Sequence, residues 1–224
     1  CALPISVRKF IQQQVDYIVL MPLSETGWDS VLQEARDARI PVVLVDRMAD
    51  VEDASLYAAH VGSDFYGQGK KAVAWIEGKH NDPAETVEII HIQGTLGSTA
   101  QLGRTAALED GMARHENWNL LTRLDGDFTQ AKTYEAMGRY LDDLPEGQNI
   151  DVVYCENDNE AFGAIQALEE QGYVCGGAML RLSRDPEVDR LSAQNAADAR
   201  AVAERLGMDF HLLDETERFS TCVM

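Results

Sequence analysis

The chain has 224 residues, 45% hydrophobic and 25% charged, which suits a globular protein of one large or two small domains. Its 38 acidic against 19 basic residues leave a formal charge of −19, and a surface that acidic argues against nucleic acid as a main partner. No run reaches the roughly 18 apolar residues of a membrane span.

The chain opens Cys1-Ala-Leu-Pro-Ile-Ser, without the basic and apolar regions of a signal peptide. Cys1 reads as the lipid-modified first residue of a mature lipoprotein or as a start created by truncation. A helix pattern that begins almost at once favours the second. Residues 7–14 read as the end of an amphipathic helix and 16–22 as a buried strand. Thr26-Gly27-Trp28 opens a helix with Trp28, Val31, Leu32 and Ala35 on one face. A strand over 41–45 ends at Asp46-Arg47. Another over 56–61 ends at Gly62-Ser63-Asp64, followed by a helix over 65–77 and a turn-rich loop.

The second half repeats the rhythm. Strands are predicted at 86–92, 120–124 and 150–155, each followed by a polar loop and a helix. The loops are Gly94 to Thr99, Gly126-Asp127-Phe128-Thr129 and Glu156-Asn157-Asp158-Asn159. Alternating strand and helix predicts an α/β fold, its parallel sheets covered by helices on both faces.

In such sheets ligands collect beyond the carboxyl ends of the strands, so the strand-to-helix loops matter most. Asp46 accepts hydrogen bonds and Arg47 donates several in a fixed fork, a match for a polyhydroxylated molecule. A surface ion pair explains the same two residues, and they alone do not decide. Gly94-Thr-Leu-Gly97-Ser98 has the look of a phosphate loop but lacks its lysine, so helix capping explains it better. Arg104 follows two turns on. Phe128 is either the staple of a helix entry or an apolar cover for a sugar ring. Asn157 is either an N-cap or an amide for hydroxyls. No nucleophile elbow, triad or paired-carboxylate motif stands out, so no catalytic residue is assigned. The four cysteines form no C-x-x-C and the five histidines no ligand spacing, so no metal or cofactor is expected.

The succession VRKFIQQQVDYIVLMP, ETGWDSVLQEARDARIPVVLVDR, SLYAAHVGSDF, IIHIQGTLGSTAQLGR, GDFTQAK and YCENDNEAFGAIQALEEQG resembles the periplasmic sugar-binding proteins of ABC transporters. Within them it is most similar to the galactofuranose-binding branch, with ribose- and galactose-binding proteins and LacI-type sensor domains as wider relatives. The resemblance spans about residues 7–173. It implies a two-lobed fold of the periplasmic-binding-protein kind, hinged and closing on a pentose or hexose. The first lobe would be 1–63 and the second 64–173. By position, Asp46, Arg47, Arg104 and Asn157 would bind sugar and Phe128 would pack on the ring, while Trp28 would either line the site or sit in the core. Ser63 and Asp64 would form a hinge crossing. The implied partners are a sugar and the permease subunits of a transporter. A monomer in the periplasm or outside the cell is implied, and no enzyme.

Two departures stand beside the resemblance. A strand, a cleft loop and most of a helix of the family are missing before Val7. After Tyr173 a strand ending in a sugar-binding aspartate is expected, yet residues 174–224 resemble an internal segment of tRNA 2-thiouridylases instead. That tail lacks the nucleotide loop and paired cysteine of those enzymes. The expectation is a chain incomplete at both ends, with a fused or frame-shifted tail. The alternatives are a LacI-type regulator sensor domain and a fragment related to the thiouridylases.

Overall fold

The computed structural model describes residues 3–181 and 186–214. Helix α1 (Pro4–Gln12) carries its proline in the first turn, where the missing N–H costs nothing. Strands β1 (Ile18–Leu20), β2 (Val42–Asp46) and β3 (Ala59–Gly62) form a parallel sheet in that order, and helix α2 (Asp29–Asp37) connects the first two. Side chains alternate across a strand. Ile18, Leu20, Val42 and Leu44 therefore face one way, where they bury against Val7 of α1 and Val31, Leu32 and Ala35 of α2.

The opposite face of this sheet departs from the expected cover on both sides. Register aligns Val19 with Val43 and Val45 with Val61 on that face. Val19 is 58% exposed and Val61 67%. The reason is that α1 and α2 share one core cluster and so pack on the same side. The strand expected from residue 56 also starts later. Asp53 accepts the Ser55 N–H at 2.8 Å and caps a 3₁₀ turn over Ala54–Leu56, which uses the first residues of that run.

Helix α3 (Phe65–Lys79) leads into the second parallel sheet, where β4 (Val87–Gln93) lies between β5 (Trp118–Asp125) and β6 (Val152–Cys155). Here both faces are covered. Val73 and Ile76 of α3 and Leu108 of α4 (Thr99–Arg114) pack on Val87, Ile89, Trp118 and Tyr154. On the other side α5 (Gln130–Asp142) meets α6 (Asp158–Glu170) so closely that a Cβ at Gly163 would run into the Gln130 carbonyl. Every strand pair is parallel, so within each sheet the loops after the strands gather at one end.

The chain divides into two compact units, Cys1–Ala167 and Leu168–Met224. Both sheets above lie in the first, and the boundary expected at 63/64 falls between β3 and α3. In the second unit β7 (Gly176–Arg181) and β8 (Asp209–Asp214) pair in parallel, joined by α7 (Pro186–Leu206). Ala196 and Ala203 of α7 are buried, and the Arg200 guanidinium lies 5.1 Å from the Phe210 ring centroid. Cys1 and the end of the tail beyond residue 214 lie outside the described residues.

Leu44 is fully buried in the central strand of the first sheet. Leu44→Ala is expected to cost roughly 2–5 kcal/mol through lost burial and the cavity left behind. Val61→Ala on the open face should stay within about 0.5 kcal/mol. Urea denaturation of the two variants checks the contrast.

Candidate functional site

The candidate site forms where the strand-end loops of the two sheets of the first unit meet. Asp46, the last residue of β2, has φ +60, a left-handed conformation that L side chains rarely adopt. Its carbonyl oxygen faces Gly62, where any Cβ would overlap it. The turn leaves Asp46 exposed and Arg47 only 7% exposed. Arg47 Nη1 donates to the Leu23 carbonyl in the loop after β1 at 3.0 Å, while Nε has no partner. Its guanidinium carbon lies 5.4 Å from the centroid of the Phe128 ring.

Phe128 follows β5, and it and Asp127 are both left-handed, with φ of +58 and +51. Two such residues in succession store strain of about 1–3 kcal/mol each, so something must hold them. Thr95 Oγ1 donates to Asp127 Oδ1 at 2.7 Å. The Phe128 N–H donates to Glu160 Oε1 at 3.0 Å, and its carbonyl accepts from Asn157 Nδ2 at 3.2 Å. The ring lies on Gly94, where a Cβ would overlap it.

Arg104 comes from α4. Its guanidinium carbon sits 5.0 Å from the Phe65 centroid and 5.9 Å from that of Phe128, and Nη2 donates to Gln68 Oε1 at 2.8 Å. Burial lowers its pKa, opposed by Glu156, Tyr154, Asp46 and Glu160. Direct bonds join the loops of the two sheets. Glu25 N donates to Gly97 O at 2.8 Å, and Met48 N to Thr99 Oγ1 at 3.0 Å.

Asn157 caps α6. Its Oδ1 accepts the Glu160 N–H at 2.9 Å, and Glu160 Oε2 accepts the N–H of Asn157 at 3.2 Å, a reciprocal capping box. Glu160 Oε2 also accepts the Glu156 N–H at 3.0 Å. The Glu156 carboxylate, buried as well, accepts from Gly94 N at 2.9 Å and Thr105 Oγ1 at 2.7 Å, with His91 Nε2 at 3.0 Å. Burial pushes the Glu160 carboxyl up to about 7, although its backbone donors pull the other way.

Asp46, Arg47, Arg104, Phe128 and Asn157 are thus gathered at one place. Trp28 is not. It is 1% exposed inside the core of the first sheet, and its indole N–H is spent on the Ser24 carbonyl at 2.8 Å. An apolar surround and a satisfied donor remove it from the cleft. Ser63 and Asp64 join β3 to α3, both exposed, and Asp64 caps α3 by accepting the Gly67 N–H at 2.8 Å. Ser98 caps α4 through the Gln101 N–H at 3.3 Å, so the glycine loop has a helix-capping explanation. Sequence reading missed Glu156 and Glu160. Asn157 followed three residues later by Glu160 is a legible capping box. Nothing local marks Glu156, whose partners lie on other elements.

The arrangement offers a flat apolar ring, two guanidiniums, an amide and a strand-end carboxylate. No group of metal ligands is present among the described residues. The half-buried Cys155 thiol has its pKa raised by desolvation, which keeps it protonated. A pocket of about 350 Å³ in the second unit, against α7 and β8, is mostly alanine-lined and has no aromatic platform.

The chain matches the family described as periplasmic binding protein domain over residues 6–204. It is 36% identical over 199 residues to the galactofuranose-binding protein YtfQ of Escherichia coli K12, covering 89% of this chain and 62% of that one. A solved Mycobacterium smegmatis protein in complex with β-D-fucofuranose superposes with TM-score 0.74 at 31% identity, over 87% of this chain and 62% of that one. The periplasmic binding protein of the arabinose ABC transporter from Shewanella sp. ANA-3, bound to α- and β-L-arabinofuranose, gives TM-score 0.72 at 32% identity, over 95% and 75%. The chain spans 62% of YtfQ and about half, 49%, of the ribose import binding protein of Escherichia coli. Because the family match runs on through residue 204, the likeness of residues 174–224 to a thiolation enzyme finds no support.

Gly94→Ala is expected to push the Phe128 ring off its seat, at a cost of about 1–3 kcal/mol. A changed near-ultraviolet circular dichroism spectrum with a lowered denaturation midpoint checks this.

Proposed function

The chain belongs to the periplasmic binding protein domain family, and on that premise we propose that it is the sugar-binding component of an ABC-type import system. The ligand is a pentose or hexose, taken in a furanose form. The observation that carries this reading is the meeting of Arg47, just beyond β2 of the first sheet, and Arg104, from α4 beside the second, at the Phe128 ring, at 5.4 and 5.9 Å. The names of the similar proteins, which bind galactofuranose, arabinofuranose and fucofuranose, point the same way.

The chemistry follows from the residue types. A sugar has an apolar face and a rim of hydroxyls. Phe128 covers the face, while Asp46, Arg47, Arg104 and Asn157 exchange hydrogen bonds with the rim. A ligand held from both sheets at once stabilises the arrangement in which they are close, which is hinge closure driven by differential affinity. Residues 63–64, the link between β3 and α3, are the proposed hinge, with residues 1–63 and 64–173 as the lobes. The proposed setting is a periplasmic monomer that delivers sugar to permease subunits and carries out no reaction of its own.

A furanose such as methyl β-D-galactofuranoside should raise the melting temperature, in a panel that includes D-ribose, L-arabinose and D-fructose. Asp46→Ala should abolish that shift. Arg47→Ala should weaken binding by roughly 10- to 100-fold, the worth of a charged hydrogen bond. No shift with any sugar of the panel sinks the proposal.

A further inference from the structure

We infer that Glu160 is the residue that positions the sugar-facing ring, its Oε1 fixing the backbone of Phe128 while its Oε2 caps α6. This rests on the reading of the cleft as a sugar site with Phe128 as its platform. The two oxygens do separable work. Oε2 takes the N–H groups of Glu156 and Asn157, as the glutamate of a capping box does. Oε1 serves no cap. It reaches 32 residues back along the chain to the Phe128 N–H at 3.0 Å.

The surroundings are built for that reach. Glu160 is fully buried, and a Cβ at Gly126 would stand 2.7 Å from Oε1, so a glycine clears the approach. Phe128 sits at φ +58, where a bulky residue does not rest unaided. A second tie comes from Asn157, whose Nδ2 donates to the Phe128 carbonyl while its Oδ1 accepts the Glu160 N–H. Glu160 and Asn157 thus grip both sides of one peptide group pair and set the height and tilt of the ring. Glu160 touches no ligand itself; it is a positioning residue.

The two functions separate in one substitution. Glutamine also completes a capping box, so Glu160→Gln keeps the N-terminus of α6. Its Nε2 then points a donor at the Phe128 N–H, which is also a donor, and the tie is lost. Glu160→Met loses both. Protonation has a related effect. The carboxyl is pushed up to about 7, so near neutral pH it gains a proton and Oε1 accepts less well. The charged and titratable groups around it are Glu156 and Cys155 on its own segment, Arg104 from α4, Asp127 beside the amide it holds, and His91 on β4 through Glu156.

The sign for stability runs opposite to that for binding. A carboxyl whose pKa is raised on folding contributes stability below its unfolded value, lost as pH rises through the folded one. Between about pH 5 and 8 the stability of the wild-type chain relative to Glu160→Gln should therefore fall with rising pH. Sugar affinity should rise over the same interval. A residue that served only as a cap would show no such opposition.

The experiment uses the full chain with methyl β-D-galactofuranoside, D-ribose, L-arabinose and D-fructose as probes, and follows the Phe128 amide by ¹H–¹⁵N NMR. Glu160→Gln should bind the best probe at least tenfold more weakly, with a melting temperature within about 3 °C of wild type. The Phe128 amide should titrate near pH 7 in the wild type and stay flat in Glu160→Gln. Affinity within twofold of wild type, or a Phe128 amide that does not titrate in wild type, overturns the inference. Failure of the wild type to bind any probe overturns the sugar reading on which it rests, while the amide titration still reports on the tie.

Discussion

Two buried carboxylates hold the candidate site together. Glu156 and Glu160 lie at the end of β6 and the first turn of α6, and each accepts backbone N–H groups from loops that follow other strands. Glu156 binds the loop after β4 through Gly94, and Glu160 binds the loop after β5 through Phe128. Burying a carboxylate is costly unless its lone pairs are met; backbone donors meet those of Glu160, and Gly94 N with the Thr105 hydroxyl and His91 meets those of Glu156. These ties set the loops relative to one another. The ring of Phe128 and its seat on Gly94 depend on both ties.

The first sheet contributes by a different device. Asp46 takes a strained left-handed turn at the end of β2, which leaves its carboxylate exposed and tucks Arg47 against the Leu23 carbonyl and the Phe128 ring. Strain kept at a strand end is affordable when its neighbours are rigid. Here they are, because Leu44 and Val42 anchor β2 in the core. One sheet thus offers charged groups at a sharp turn, and the other an aromatic surface on a carboxylate frame. On the proposed reading these are the two faces a sugar needs.

The alternation of strand and helix was legible because apolar runs of strand length are separated by turn residues, and most of the elements fall close to their expected places. The start of β3 was not, because the Asp53 cap competes for the same residues and wins through a hydrogen bond that a periodicity count does not weigh. Cover on one face of the first sheet was also not legible, since alternation alone does not say which side each helix takes. Within the site, Asp46-Arg47 and Phe128 were readable as polar or aromatic groups at strand ends. Trp28 was misread. An aromatic in a strand-end loop looks the same whether it faces ligand or core, and only the Ser24 carbonyl and the surrounding core distinguish them. Glu156 and Glu160 were hidden because acidic residues in a capping segment look solvated until their partners, up to 65 residues away, are in place.

The central claim is that a sugar is held between Arg47 at the end of β2 and Arg104 on α4, on the ring of Phe128. The direct measurement is NMR of side-chain resonances during titration with methyl β-D-galactofuranoside, following the Phe128 ring and both guanidiniums. The account predicts that all three shift along one saturable isotherm. Saturable binding that leaves the three unmoved, with shifts confined to residues away from the cleft, would contradict it.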